Sequence, residues 1–458
     1  MNTVVLLLAV MAISAVGLRV ALYVLVRPQR GVLMLVALLP LDGLLTLIDP
    51  PSAVRGWKEA AVLATLVATA TAPASARRQH RAPLPSWSAP AMGLVGLGML
   101  WVGFGGFGQL TGFRVAFFFL LVPVILWRCP MDAGERDQLV TVVMVSSVAV
   151  AIVGLMQQLA GGERLVSLGY EWNTEIRTTQ GLLRSIGTFE SPFPFAFWVM
   201  QGLAVGLPVA LTDPGRTRNR IFLWLLPLTT LGMATAIVRG AFVGIAVAVF
   251  VVAVWRYRML IHLLAPGLIL MVLLGGSVAD AIFSSSSLQE RTGRWEEVFA
   301  SVVERPFGGG LTSSGAAGNL VADVPLRLAE IHTLSTFKAV PQPDNHYLKN
   351  MLDLGWPGFF LLVLLAVFAI GYAWRVARTS SGADAALAAG ICAALSSAAA
   401  AALVASFWEI FPAQVLFWTL LGVVPSLDQR SSSTRLPLAP MAAAFKPLSA
   451  NSWASSSS

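Results

Sequence analysis

The chain has 458 residues, 56% of them apolar and 12% charged, with a formal net charge of +8; its mean hydropathy is +0.75. Soluble domains carry about twice that share of charge, so composition excludes a solvated globular fold and predicts an all-α polytopic membrane protein. The two cysteines, Cys129 and Cys392, lie in or beside apolar runs and suggest neither a disulfide framework nor a metal site.

Apolar segments long enough to cross a bilayer fall at about 3–26, 31–48, 57–73, 90–108, 112–127, 138–160, 195–212, 221–237, 240–255, 259–279, 355–374, 385–407 and 411–425. The first lacks a basic leader and a small-residue cleavage site and reads as a retained helix, although Arg19 interrupts it, so twelve or thirteen transmembrane helices are expected. Every second connection is basic: Arg27 and Arg30; Arg77, Arg78 and Arg81; Arg128 and Arg136; Arg216, Arg218 and Arg220; Arg256 and Arg258; Arg375 and Arg378; and a tail with Arg430, Arg435 and Lys446. The positive-inside rule puts these in the cytoplasm, with the C-terminus inside and, for thirteen helices, the N-terminus outside. The expected organisation is a membrane domain over 1–427 and a disordered cytoplasmic tail over 428–458, rich in Ser, Pro and Ala.

Two outer connections are long, about 161–194 and 280–350, and both carry basic residues. Long loops escape the charge rule, so these are either solvated charges or a basic surface for an anion such as a lipid phosphate. The first loop ends Arg184-Ser185-Ile186-Gly187-Thr188-Phe189-Glu190-Ser191-Pro192, a shaped turn at the helix entry, with Ser191 as N-cap and Arg184 at headgroup level. Arg239, in the short outer turn Val238-Arg239-Gly240-Ala241, either snorkels or meets an anion.

The second loop opens near Arg291, Gly293 and Arg294. There Trp295, Val298, Phe299, Val302 and Val303 recur at helical spacing, which predicts a short amphipathic helix at the membrane. The Pro306–Gly310 stretch that follows is either a helix terminator or a backbone cradle for phosphate. The loop leaves through Asp344-Asn345-His346-Tyr347-Leu348, where a carboxylate, an amide and an imidazole precede a membrane segment. These are either a helix cap with a surface histidine or the acid–base group of a site. No second His or Cys stands at metal-ligand spacing nearby. Asp42, inside an apolar segment, shows no obvious basic partner in the sequence.

Four of these places, in order, resemble the O-antigen ligase and O-antigen polymerase superfamily of bacterial polytopic glycosyltransferases. They are Arg184–Phe189; Val238–Ala241, with Val238 in place of a serine; Gly293–Trp295 with Pro306–Gly310; and Asn345–Gly358, with Asp353 as the acidic residue before two glycines. The resemblance covers about 180–370 and implies a GT-C-like fold without cofactor or metal. It also implies an undecaprenyl-pyrophosphate-linked glycan as donor, a glycan or lipid-linked acceptor, membrane lipids as surroundings and no nucleic acid. Arg184, Arg239, Arg291 and Arg294 would bind the pyrophosphate, Asp344 or His346 would activate the acceptor hydroxyl, and Gly187, Asn345 and Gly355 would shape the turns. Ligases of the family typically place a histidine before that asparagine, whereas polymerases often place an aspartate, as Asp344 does here. The resemblance therefore favours a polymerase, with ligase-type transfer to lipid A core, protein or wall acceptor as runner-up. From another class, a transporter or flippase of polyprenyl-linked glycans shares the many helices and outer arginines, but neither inverted halves nor broken mid-membrane helices are visible.

Overall fold

A computed structural model describes residues 19, 21–47, 56–73, 84–172, 176–179, 182–262, 295, 298–315, 317–318 and 344–428. The fold is that of an all-α polytopic membrane protein. In chain order the helices are α1 (Gln29–Leu38), α2 (Asp42–Thr46), α3 (Trp57–Thr71), α4 (Ser88–Phe117), α5 (Leu121–Arg128), α6 (Ala133–Ala160) and α7 (Gly162–Ser167). A two-stranded antiparallel hairpin, β1 (Arg177–Thr179) and β2 (Leu182–Arg184), follows. Then come α8 (Pro192–Thr212), α9 (Thr217–Ala234), α10 (Arg239–Trp255), α11 (His346–Thr379), α12 (Gly382–Ala401) and α13 (Ala413–Leu427). Among the described residues five helical stretches are long and apolar enough to cross a membrane: Ser88–Arg128, Ala133–Ala160, Pro192–Thr212, His346–Thr379 and Gly382–Ala401. Most of the expected segments 3–26 and 259–279, and the tail from residue 429, lie outside the described residues.

The stretch Ser88–Arg128 unites two expected segments. At about 1.5 Å per residue it is far too long for one crossing of a core about 30 Å thick. Gly106 breaks it with φ 67° and ψ −147°, so it runs out and back. Ser86 lines a hollow with Arg375 at one end of the molecule, while Gln109, just past the break, bonds to Leu311 and Thr312 at the other.

The basic connections come together at that first end. Arg27 pairs with Asp132 and Glu135, Arg136 with Asp384 at 2.9 Å, Arg216 and Arg218 with Asp137 at 2.6 and 2.9 Å, and Arg375 with Asp428 at 3.2 Å. Asp132 also caps α6 in a capping box with Glu135. The backbone N–H of Glu135, with Arg27 beside it, holds the Asp132 carboxyl below its ordinary value.

The centre is built by α8 and α12, which are 83% and 78% buried over their apolar windows, against 39–44% for the other three long stretches. In lipid, helices gain no hydrophobic drive from one another and associate through close backbone approach at small residues. The alanine-rich α12 supplies that approach. Its Gly390 faces the Val205 backbone of α8, where an added Cβ would stand 2.7 Å from the carbonyl oxygen. Gly244 of α10 faces the Ser397 carbonyl at 3.0 Å in the same sense. We expect Gly390→Leu to lower thermal stability in detergent by about 1–3 kcal/mol through overpacking, whereas Gly371→Leu, at a glycine with open space beside it, leaves the melting temperature unchanged.

Candidate functional site

The end opposite the basic connections gathers the long loops. Residues 182–191 are held from below by two adjacent amides of α6. Gln157 accepts from the N–H groups of Ile186 (3.0 Å) and Gly187 (2.9 Å) and donates to the Gly187 carbonyl at 2.7 Å. Gln158 donates to the Leu183 carbonyl and the Ser185 hydroxyl. Gly187 sits at φ 61°, with the Phe195 ring 2.7 Å from where a Cβ would be, so this turn requires glycine. Ser191 occupies the N-cap of α8 but its hydroxyl makes no capping bond.

This clamp sets Arg184 at the end of β2. Its Nε donates to the Ala236 carbonyl at 3.1 Å and its guanidinium lies 5.3 Å from the centre of the Phe193 ring. Burial, with Arg177 and Arg239 nearby, pulls its pKa down to about 10. Arg177 is its cross-strand partner in the hairpin, a like-charge pairing that is unfavourable in isolation. Arg239 opens α10, where the positive end of the helix dipole opposes another cation. The turn before it contains Ile237 at φ 53°, a left-handed conformation that costs a β-branched residue about 1–3 kcal/mol. Arg184 is thus held within the field of two further arginines, Arg177 and Arg239, at this end of the molecule.

The Asp344–His346 segment borders the same region. Asn345 caps α11, its side-chain oxygen accepting from Tyr347 N (2.9 Å) and Leu348 N (3.2 Å). His346 is not a surface residue. It is 7% exposed, its ring packs edge-on against Trp408 at 5.1 Å and bonds to the Ser406 backbone, and its Nδ1 has no partner among the described residues. Its backbone N–H donates to the Ala402 carbonyl at 2.8 Å. Asp344 is only half-buried and so is the more accessible of the two. The turn after α12 joins the half-sites: Ala402 holds His346, while Val404 packs on Gly240, beside Arg239. Aromatic contacts continue the link from Phe193 through Phe197 and Phe407 to Trp408.

Beneath this cap lies a cluster that sequence reasoning missed. Lys349, 3% exposed, is ion-paired with Asp353 one turn on and with Glu409 at 2.8 Å. Asp353 also accepts from the hydroxyls of Ser313 (2.7 Å) and Ser314 (2.9 Å). The Pro306–Gly310 stretch folds onto the break in α11 at Gly355 (φ 69°). The N–H groups of Gly309, Gly310 and Leu311 go to Leu352 O, Asp353 O and Gln109 Oε1. Those amides are consumed by packing, which overturns the phosphate-cradle reading of the glycines. Val298 and Val302 bury against Leu348, Met351 and Leu352, while Trp295, Phe299 and Val303 stay exposed, so the apolar face expected as one stripe is divided between the head of α11 and the surface. Asp42 has partners after all, accepting from Trp57 Nε1 at 2.7 Å and pairing with Lys58 at 3.3 Å.

Arg291 and Arg294 lie outside the described residues. Among the described residues, no group of three His, Cys, Asp or Glu stands where it could hold a metal ion. Residues 222–363 match the family model for O-antigen ligase, which supports the O-antigen ligase and polymerase superfamily for this chain. The match takes in Arg239, Asp344–His346 and Asp353 and begins after Arg184. No curated protein matches the chain.

Replacing Gln157 with Leu leaves the Ile186 and Gly187 amides and the Gly187 carbonyl unpaired, at about 1–3 kcal/mol for each buried group. Hydrogen exchange at those two amides should rise sharply, with a lower melting temperature.

Proposed function

We propose that the chain transfers or polymerises undecaprenyl-pyrophosphate-linked glycan at the outer face of the cytoplasmic membrane. Glycan transfer of the O-antigen ligase and polymerase type is what the family match supports. The single observation carrying the finer reading is the convergence of Arg177, Arg184 and Arg239 at the loop end, joined to the Asp344 segment by the turn after α12.

In this reading the donor pyrophosphate lies on the arginines, with Arg291 and Arg294 contributing from the second loop. The Asp344 carboxylate takes the proton of the acceptor hydroxyl as that oxygen bonds to the anomeric carbon. The anomeric C–O bond to phosphate breaks, and the charge gathering on the departing pyrophosphate is met by fixed guanidinium groups. His346, packed on Trp408 and tied to Ala402, holds the segment in place. Asp344 before Asn345 favours chain extension. The family description itself favours the second reading, ligase-type transfer to a separate acceptor.

Reconstitution with a polyprenyl-pyrophosphate oligosaccharide tests this. Longer lipid-linked products mark a polymerase, transfer only onto an added acceptor marks a ligase, and no turnover with any lipid-linked donor defeats both. Arg184→Ala, Arg239→Ala and Asp344→Asn should each lower kcat by about 10²–10³, and full activity in all three would defeat the site assignment. A pH series adds a second check. Arg184 has a folded pKa below its unfolded value, so it loses its proton in the fold first as pH rises through about 10. Donor affinity should therefore fall there, while the fold itself gains stability, first because a buried charge is lost and second because the repulsion by Arg177 and Arg239 is relieved.

A further inference from the structure

The Lys349 cluster lies beyond the residues assigned above, and it connects three pieces of chain distant in sequence. Lys349 and Asp353 belong to the first turns of α11, Glu409 to the turn before α13, and Ser313 and Ser314 to the second long loop. All three ionic side chains are nearly inaccessible. Gly315, at φ 76°, lies so close that an added Cβ would stand 2.5 Å from Glu409 Oε2 and overlap the Lys349 side chain. A Cβ at Gly308 or Gly355 would likewise overlap the chain across the junction. Two backbone bonds, from Gly309 N to Leu352 O at 2.8 Å and from Gly310 N to Asp353 O at 3.0 Å, lie beside the ion pairs. Asn345, the cap of α11 and the residue after Asp344, stands one turn before Lys349, whose N–H donates to its carbonyl.

We infer that Lys349, held between Asp353 and Glu409, is a positioning residue that latches loop residues 306–315 to the head of α11 and so fixes Asp344 for proton removal. The inference rests on the reading of Asp344 as base, but the latch itself is measurable without any activity. A buried lysine with two carboxylates is an arrangement that packing alone does not call for, since an apolar trio of similar volume is often at least as stable. What the ionic version adds is orientation: Lys349 holds one oxygen of Asp353 while the other accepts both serine hydroxyls. Arg177, Arg184 and Arg239 lie on the hairpin and on α10, so the share of donor binding they carry does not depend on the latch.

Hydrogen exchange and steady-state transfer, measured on the full chain in nanodiscs, test this together. The variants are Lys349→Met, Glu409→Gln and the milder double variant Ser313→Ala/Ser314→Ala, which leaves every charge paired and folds even if the first two do not. Exchange at Gly309 and Gly310 should quicken at least about tenfold in the double variant, in line with two lost bonds to a carboxylate. Its kcat should fall by about tenfold, a larger change than any rise in donor KM. Unchanged exchange overturns the latch, and quickened exchange with unchanged kcat overturns its positioning role. If the wild type transfers no glycan, the proposed function fails, and the exchange result alone decides whether the loop is latched.

Discussion

A buried ammonium shared by two carboxylates is the interaction on which the loop end depends. Lys349 cannot stay charged at 3% exposure without Asp353 and Glu409, and removing one partner of such a set typically costs about 3–5 kcal/mol. That cost forces the head of α11, the turn before α13 and the second loop into one arrangement. Asn345 can then cap the helix, and the neighbouring turn can hold His346 against Trp408. The opposite end is organised differently, by surface pairs such as Arg216–Asp137 and Arg375–Asp428, each of which contributes little singly. One end is locked by burial, and the other is tied by many weak contacts.

Between the ends, α8 and α12 form a spine whose closeness comes from glycine and alanine. The outer helices keep exposed apolar faces, Phe104, Trp224 and Phe360 among them, as lipid contact requires. Two of the candidate residues stand on the helices packed against this spine, α10 and α11. Arg239 and His346 each stand at the first residue of a helix, so their backbones inherit its rigidity.

Much of this was legible in the sequence because it is local. Hydropathy gave the long helices, alternating arginines gave the two ends, and apolar spacing gave the helix through Val298 and Val302, though not the head of α11 on which those two residues pack. The cap at Asn345 follows from residue type and position. What was not legible is long-range. Glu409 lies far along the chain from Lys349 and looks like a stray acid in an apolar run. Gln157 and Gln158 read as an ordinary helix end until the turn they hold is folded against them. Asp42 appeared unpartnered because Lys58 reaches it only after the chain doubles back. The hairpin that sets Arg177 opposite Arg184 is too short for period-two patterning to reveal.

The docking of Ser313–Gly315 on Lys349 and Glu409 has a consequence for how such a chain can diversify. A Cβ at Gly308, Gly315 or Gly355 would overlap atoms across the junction, and exchanging Lys349, Asp353 or Glu409 alone would strand a buried charge. The junction can therefore drift only through paired changes, made on both sides of the contact at once.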